Sequence, residues 1–180
     1  MMMKKKPAYL LGDGLKRGNQ MLRAIERDRL NKLGTMDLFN PWDQKDINDK
    51  SKNPTAEMIF EKDTNAILKS EIIVADADND SVGSTCEIGL IWGVNHILNK
   101  LWEIDKESTS DREFTLRVQA LMAEIPVKQV YWQTNDVRHT QIEERGMRRS
   151  FSINQYLYGC LLDLAGPERT FDEIIEKLQK

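Results

Sequence analysis

The chain has 180 residues, room for one domain of ordinary size, and its 40% hydrophobic and 31% charged content supplies a core and a solvated surface. Its 26 Lys and Arg against 29 Asp and Glu leave a net charge of -3, without the basic excess of a nucleic-acid binder. Cys86 and Cys160 cannot build a disulfide scaffold and match no zinc spacing, and with only His96 and His139 a His-rich metal centre is excluded.

Lys4-Lys5-Lys6 follow three Met, and no hydrophobic stretch of signal-peptide length comes after them. No apolar run approaches the ~18 residues of a membrane span. The expectation is a soluble cytoplasmic protein with reduced thiols. Ala8 to Leu11 is a short apolar burst that ends at Gly12-Asp13-Gly14, as a buried strand does. A helical pattern follows, with Met21, Leu22, Ile25, Leu30 and Leu33 on its core face and Gly34 as its stop. Met36 to Phe39 reads as a second strand closed by Asn40-Pro41, and a polar loop runs from Trp42 to Asn53.

Asn53-Pro54 predicts a helix start, with Ala56, Ile59, Phe60, Ile67 and Leu68 as the buried stripe. Ile72 to Ala75 is the clearest strand. A helix is predicted from about Ser84 to Lys100. Ser110-x-x-Glu113 has the form of a capping box opening a helix to about Glu124. Val127 to Trp132 is a fourth predicted strand. Ser152 to Leu164 and Thr170 to Leu178 are terminal helices, the second with its own box, Thr170 and Glu173.

Short apolar strands alternating with amphipathic helices predict one α/β domain over residues 1–180. The expected architecture is flavodoxin-like or Rossmann-like: a parallel sheet of four or five strands, flanking helices, and extra C-terminal helices. Ligands in such sheets bind beyond the carboxyl ends of the strands, which points at three loops: Gly12 to Gly18, Asn40 to Asn53, and Asp76 to Gly83.

The third loop is the richest in chemistry. Asp76, Asp78, Asp80 and Glu87 occupy positions 1, 3, 5 and 12 of a twelve-residue stretch, the spacing of a calcium-binding EF-hand. Against calcium, position 6 is Ser81 where the turn wants Gly, and a strand precedes the loop instead of a helix. Glu87 also fits a plain structural role, since Ser84-x-x-Glu87 is itself a capping-box pattern. The functional alternative uses the same placement. A carboxylate in the first helical turn feels the helix dipole, stays ionised, and can attack an anomeric carbon while an upstream acid protonates the leaving group. Asp63 lies on the helix that leads to this loop, where an Asp is by default solvated. Gly12 to Gly18 resembles a dinucleotide fingerprint but is one residue too long, and Asp13 would repel a pyrophosphate. Lys16 and Arg17 are either solvated or meet a single phosphate at the helix start. Trp42, a large aromatic in a polar loop, can stack on a planar ring.

In order along the chain stand Tyr9-Leu10-Leu11-Gly12, Phe39-Asn40-Pro41, Asp63-Thr64-Asn65-Ala66-Ile67, Ser70-Glu71-Ile72-Ile73-Val74-Ala75-Asp76 and Gly83-Ser84-Thr85-Cys86-Glu87-Ile88-Gly89. This ordered set resembles the nucleoside 2-deoxyribosyltransferase family over residues 8–100, with weaker echoes at Thr134 to Arg138 and at Asn154. The resemblance implies transfer of 2-deoxyribose between purine or pyrimidine bases by double displacement. Glu87 falls on the family's nucleophile, which holds the covalent deoxyribosyl intermediate. Tyr9 would steady it by a hydrogen bond, and Asp63 would orient sugar and nucleophile. Gly12, Asp13, Gly14, Trp42, Asp78, Ser81, Gly83 and Asn154 would bind substrate, with Asn154 supplied across a subunit interface to the 5′-hydroxyl. The family is homo-oligomeric, dimeric or hexameric, and uses no metal or other cofactor; residues 150–180 are expected in oligomer contacts. Ser81 stands where the family has an Asp that acts on the base, so either Asp80 serves or base protonation is weakened.

A neighbouring branch, the 2′-deoxynucleoside 5′-monophosphate glycosidases, supplies the second hypothesis, a hydrolase motivated by Lys16 and Arg17. A non-catalytic nucleotide or calcium sensor is the third.

Overall fold

The structure is a computed structural model in which residues 4–76, 81–125, 127–133 and 153–179 are described. The elements run β1 (Lys6–Leu11), α1 (Arg17–Lys32), β2 (Met36–Phe39), α2 (Lys45–Asn48), α3 (Ala56–Lys69), β3 (Ile72–Ala75), α4 (Val82–Glu107), α5 (Asp111–Glu124), α6 (Gln155–Ala165) and α7 (Phe171–Leu178), with short 3-10 turns at Pro41–Asp43 and Lys50–Lys52. The fold is α/β and mostly helical.

The sheet has three parallel strands in the order β2-β1-β3. β1 is central and pairs along four residues with each neighbour, Lys6 to Tyr9 against Met36 to Phe39 and Ala8 to Leu11 against Ile72 to Ala75. Flanked on both edges, Ala8, Tyr9, Leu10 and Leu11 are at most 1% exposed. Burying Leu10 and Leu11 contributes about 1.5–3 kcal/mol each. Tyr9 stacks on Phe39 at 5.6 Å between ring centroids.

The fourth strand expected at Val127 to Trp132 is absent: residues 127–133 carry no strand. The polar groups of Trp132 are spent elsewhere. Trp132 is buried, its indole donates to the Gly166 carbonyl at 2.9 Å, and its own carbonyl accepts the Arg169 amide at 3.2 Å. The segment is tied to the turn between α6 and α7 instead of a ladder.

Helix limits follow local chemistry. Thr55, not Asn53, caps α3, its hydroxyl accepting the Met58 amide at 3.3 Å. Asn53 instead takes a left-handed turn, φ 48°. Ser110 caps α5 through the Glu113 amide, but the Glu113 carboxylate turns to Thr109, so that box is half formed. The Thr170–Glu173 box is complete. α1 ends as predicted before Gly34, φ 68°.

The expected core stripe of α1 is corrected. Met21, Leu22, Ile25 and Leu33 are exposed, and the residue that α1 buries is Arg23, at 1%. The helix is rotated to send that arginine inward, for reasons given below. On α3 the stripe is partly as expected: Ala56 and Ile67 are buried and Leu68 is exposed. α3 packs closely on α6, because Gly159 lets the backbones approach: a Cβ there would lie 2.5 Å from the Ala56 carbonyl. Tyr156 meets Phe60 edge-on, 5.2 Å between centroids.

The chain forms two compact units, Met1–Glu87 with Tyr131–Lys180, and Ile88–Val130. The second is almost wholly the rest of α4 and α5, and within it Arg117 of α5 pairs with Glu107 at 2.8 Å. No described helix is long and apolar enough to cross a membrane.

Candidate functional site

Within the first unit a cavity of about 940 Å³ opens beyond the carboxyl ends of all three strands. Its wall takes Gly12 and Asp13 from the loop after β1, Asn40 to Asp43 from the loop after β2, and Ser81 to Ser84 with Glu87 after β3. α3 contributes Asp63, and Asn154 and Tyr156 come from the start of α6. The volume is at the upper end of small-molecule sites.

Glu87 is 7% exposed, and its Oε1 accepts the hydroxyl of Tyr9 at 2.7 Å. Its expected position in the first helical turn is corrected. α4 starts at Val82, so Glu87 falls in the second turn, further from the positive end of the dipole. The capping-box pattern at Ser84 does not form either. Ser81 takes the cap: its Oγ accepts the Ser84 amide at 3.4 Å and its hydroxyl donates to Ser84 Oγ at 2.7 Å. Glu87 is thereby left to the cavity.

Burial pushes the Glu87 carboxyl up to about 7, and the Tyr9 hydrogen bond pulls it part of the way back. Asp63 is not solvated as its helical setting suggests. It is 6% exposed, and its Oδ1 has no partner among the described residues. Burial first, and the neighbouring Glu87 charge second, push it to about 8. Glu87 therefore gives up its proton first, and its charge then holds the proton on Asp63. Tyr9 is driven well above the usual phenol range by burial and by the Glu87 and Asp63 charges, so it remains a donor.

The two glycines after β1 are close-approach positions. A Cβ on Gly14 would lie 2.0 Å from Trp42 Cε2, so the indole rests on the loop backbone, and Trp42 Nε1 donates to the Gly12 carbonyl at 3.3 Å. Asn40 caps the turn that carries Trp42, accepting its amide at 3.3 Å. Asp13 is buried and turned into its own loop, accepting the Leu15 amide at 3.0 Å and the side-chain amide of Asn19. Gly83 lies against Asn154, whose side chain a Cβ would meet at 3.3 Å. Asn154 also caps α6 through the Leu157 amide at 3.1 Å, and it lines the cavity of its own chain without a second copy.

Of the expected site residues, Glu87, Asp63, Gly12, Asp13, Trp42, Ser81, Gly83 and Asn154 line one cavity. Tyr9 and Gly14 reach it through Glu87 and Trp42. Asp78 and Asp80, and Thr134 to Arg138, lie outside the described residues. Lys16 and Arg17 are exposed and are not part of the wall. The two arginines that do line it are ion-paired, Arg23 with Asp76 and Glu26, Arg27 with Asp28 and Asp43. Among the described residues no three His, Cys, Asp or Glu gather as a metal cage.

Sequence reasoning missed Arg23, Asn40, Ser84 and Tyr156. Tyr156 is buried, shares a hydrogen bond of 3.0 Å with Thr64, and faces the Glu87 charge. Its one signal was the helical spacing from Tyr156 to Gly159, which marks a close helix contact. Arg23 carried none, because arginines on helices are usually solvated.

Comparison of the chain with protein-family models, curated proteins and solved structures finds no match in any of the three.

Proposed function

We propose that the chain is a nucleoside deoxyribosyltransferase that moves 2-deoxyribose from one nucleobase to another. The observation that carries this reading is the Tyr9–Glu87–Asp63 group: a buried carboxylate held by a phenol donor at 2.7 Å, with a second buried carboxyl on the same cavity. That combination suits double displacement at an anomeric carbon.

In the first step Glu87, ionised, forms a bond from a carboxylate oxygen to C1′ of a 2′-deoxynucleoside. The N-glycosidic bond breaks and its electron pair leaves with the base, which takes up a proton. In the second step a nitrogen of another base attacks C1′ from the opposite face, the ester bond to Glu87 breaks, and the proton on that nitrogen is released. Two inversions retain the configuration. Tyr9 orients Glu87. Asp63, protonated below about 8, donates a hydrogen bond toward sugar or nucleophile. Asp80 or Asp78 serves as the base-side acid. Trp42 with Gly12 and Gly14 forms the platform for a planar ring, and Asp13, Ser81, Gly83 and Asn154 complete the walls around base and sugar.

The charge balance of the cavity favours a neutral nucleoside over a 5′-monophosphate. Both lining arginines are already paired, while Asp13, Asp63 and Glu87 form no ion pair among the described residues. Among the described residues of the wall, a phosphate would meet carboxylates and arginines that are already paired.

The proposal includes a flavodoxin-like or Rossmann-like relationship, no cofactor, a cytoplasmic setting and a homo-oligomer. Exposed Met21, Leu22 and Ile25 on α1, Trp92 and Trp102 on α4, and Phe171 and Leu178 on α7 support the last. The test is to incubate the protein with 2′-deoxyinosine and adenine and to look by chromatography for 2′-deoxyadenosine, with Glu87→Ala as control. Product from wild type alone supports the reading. Free base without a new nucleoside, above all from a monophosphate, replaces it with hydrolysis, and no turnover on any donor returns the sensor.

A further inference from the structure

Arg23 heads the fully buried large side chains of the described chain, at 1% exposed. Its guanidinium passes directly beneath Gly12, where a Cβ would come within 2.2 Å of Nη1. Nη1 donates to the carbonyl of Leu11, the last residue of β1, at 3.4 Å. The Asp76 amide donates to that same carbonyl at 2.9 Å. Nη2 donates to Asp76 Oδ2 at 2.7 Å and to Glu26 Oε1 at 3.0 Å. The buried Nε has no hydrogen-bond partner among the described residues.

A buried ion pair is weak evidence of a stabilising role, and an orphan nitrogen on it adds a cost. An apolar side chain of similar length would fill the same space without either. What such a side chain cannot do is join two strand ends. Leu11 and Ala75 are paired residues at the carboxyl end of the sheet, and Gly12 and Asp76 are the first residues beyond them. Arg23 touches both, from a helix that sends this residue in while Met21, Leu22 and Ile25 stay exposed.

We propose that Arg23 is a positioning residue of the site, holding the ends of β1 and β3 that frame the cavity through Leu11 and Asp76. It works on the geometry of the Gly12 loop and of Asp76, and it needs no contact with substrate. For its effect on turnover this inference rests on the transferase reading; for its effect on the strand ends it does not.

The experiment compares wild type with Arg23→Met, Arg23→Lys and Asp76→Asn. Arg23→Met keeps the length and loses every donor; Asp76→Asn cuts the same link from its exposed side. The first readout is steady-state transfer, the second hydrogen exchange of the peptides that span residues 8–16 and 72–82. The expected result is a fall of at least 30-fold in kcat with KM within threefold for Arg23→Met, and about tenfold for Asp76→Asn. Partial recovery is expected in Arg23→Lys, and at least tenfold faster exchange in both peptides for Arg23→Met, at unchanged circular dichroism. Wild-type kcat in Arg23→Met, or unchanged exchange in both peptides, overturns the proposal. If Arg23→Met does not fold, Asp76→Asn decides by the same two readouts. If wild type transfers nothing, the transferase reading fails and the exchange result alone judges Arg23.

Discussion

The hydroxyl of Tyr9 donates to Glu87 Oε1 at 2.7 Å across 78 positions of sequence, from the middle of the central strand to the second turn of a helix. Both groups are buried, Tyr9 at 0% and Glu87 at 7% exposed. The bond therefore fixes where the carboxylate points. Tyr9→Phe should lower kcat by about 10- to 100-fold. It should also move the acid limb of the pH–rate profile upward, because the bond that pulls the Glu87 carboxyl down is gone. An unmoved limb would mean that Glu87 is not the group that titrates there.

The full pH profile should be a narrow bell. Activity rises as Glu87 ionises near 7 and falls as Asp63 loses its proton near 8. Asp63→Asn should remove the alkaline limb and leave the acid limb in place. Initial rates from pH 5 to 10 on one donor decide this, and an alkaline limb that survives in Asp63→Asn assigns it to another group.

Stability should run the other way with pH. Both carboxyls have folded-state values raised above the ordinary 4.5 and 3.8, so the folded state binds protons more tightly than the unfolded chain. Their favourable contribution is fully present below about 4 and is lost as pH rises through 7 and 8. Glu87→Gln should abolish transfer yet raise stability at pH 8 by about 3 kcal/mol, and should flatten the fall of Tm between pH 5 and 9. Thermal melts across that range test it. Adding Asp63→Asn should give less than the sum, because each charge affects the other.

Gly14→Ala should act through Trp42. The added Cβ would lie 2.0 Å from the indole, which must swing away and give up its bond to the Gly12 carbonyl. Gly14 does not have a positive φ, so contact, not backbone strain, is the cause. The expected outcome is a KM for the base raised about tenfold with kcat within a factor of three, as for a loss of uniform binding.

Gly159→Ala should separate α6 from α3. Its Cβ would lie 2.5 Å from both the Ala56 carbonyl and Phe60 Cβ. Overpacking of this kind costs about 1–3 kcal/mol, read as a lower Tm, and it should also move Tyr156 and Asn154 on the same helix. Turnover should then fall by more than the loss of folded protein explains.

Much of the fold was legible along the chain because its signals are local. The first three strands are apolar bursts bounded by turn residues. Thr170 and Glu173 form their box because both partners lie within one helical turn. The failures have one physical pattern. The apolar residues of α1 predict a core face, but burial of Arg23 against Leu11 and Asp76 sets the rotation of the helix, and that partner is 53 residues away. Val127 to Trp132 has strand composition, but the indole and carbonyl of Trp132 are taken by Gly166 and Arg169.

The candidate site divides in the same way. Sequence alone determined which side chains stand next to turn glycines and strand ends, so it could nominate Asp13 and Trp42 in the loops where an α/β sheet binds, and Glu87 and Asp63 on the helices beside them. It could not tell a capping Glu87 from a buried one, or a solvated Asp63 from an orphaned one. Those are differences of surroundings, not of residue type. Only the tertiary structure brought β1, α3, α4 and α6 around one cavity and buried the two carboxyls on its wall. The physical reason is that desolvation and charge–charge coupling depend on distance in space, and both rise steeply once a group is buried.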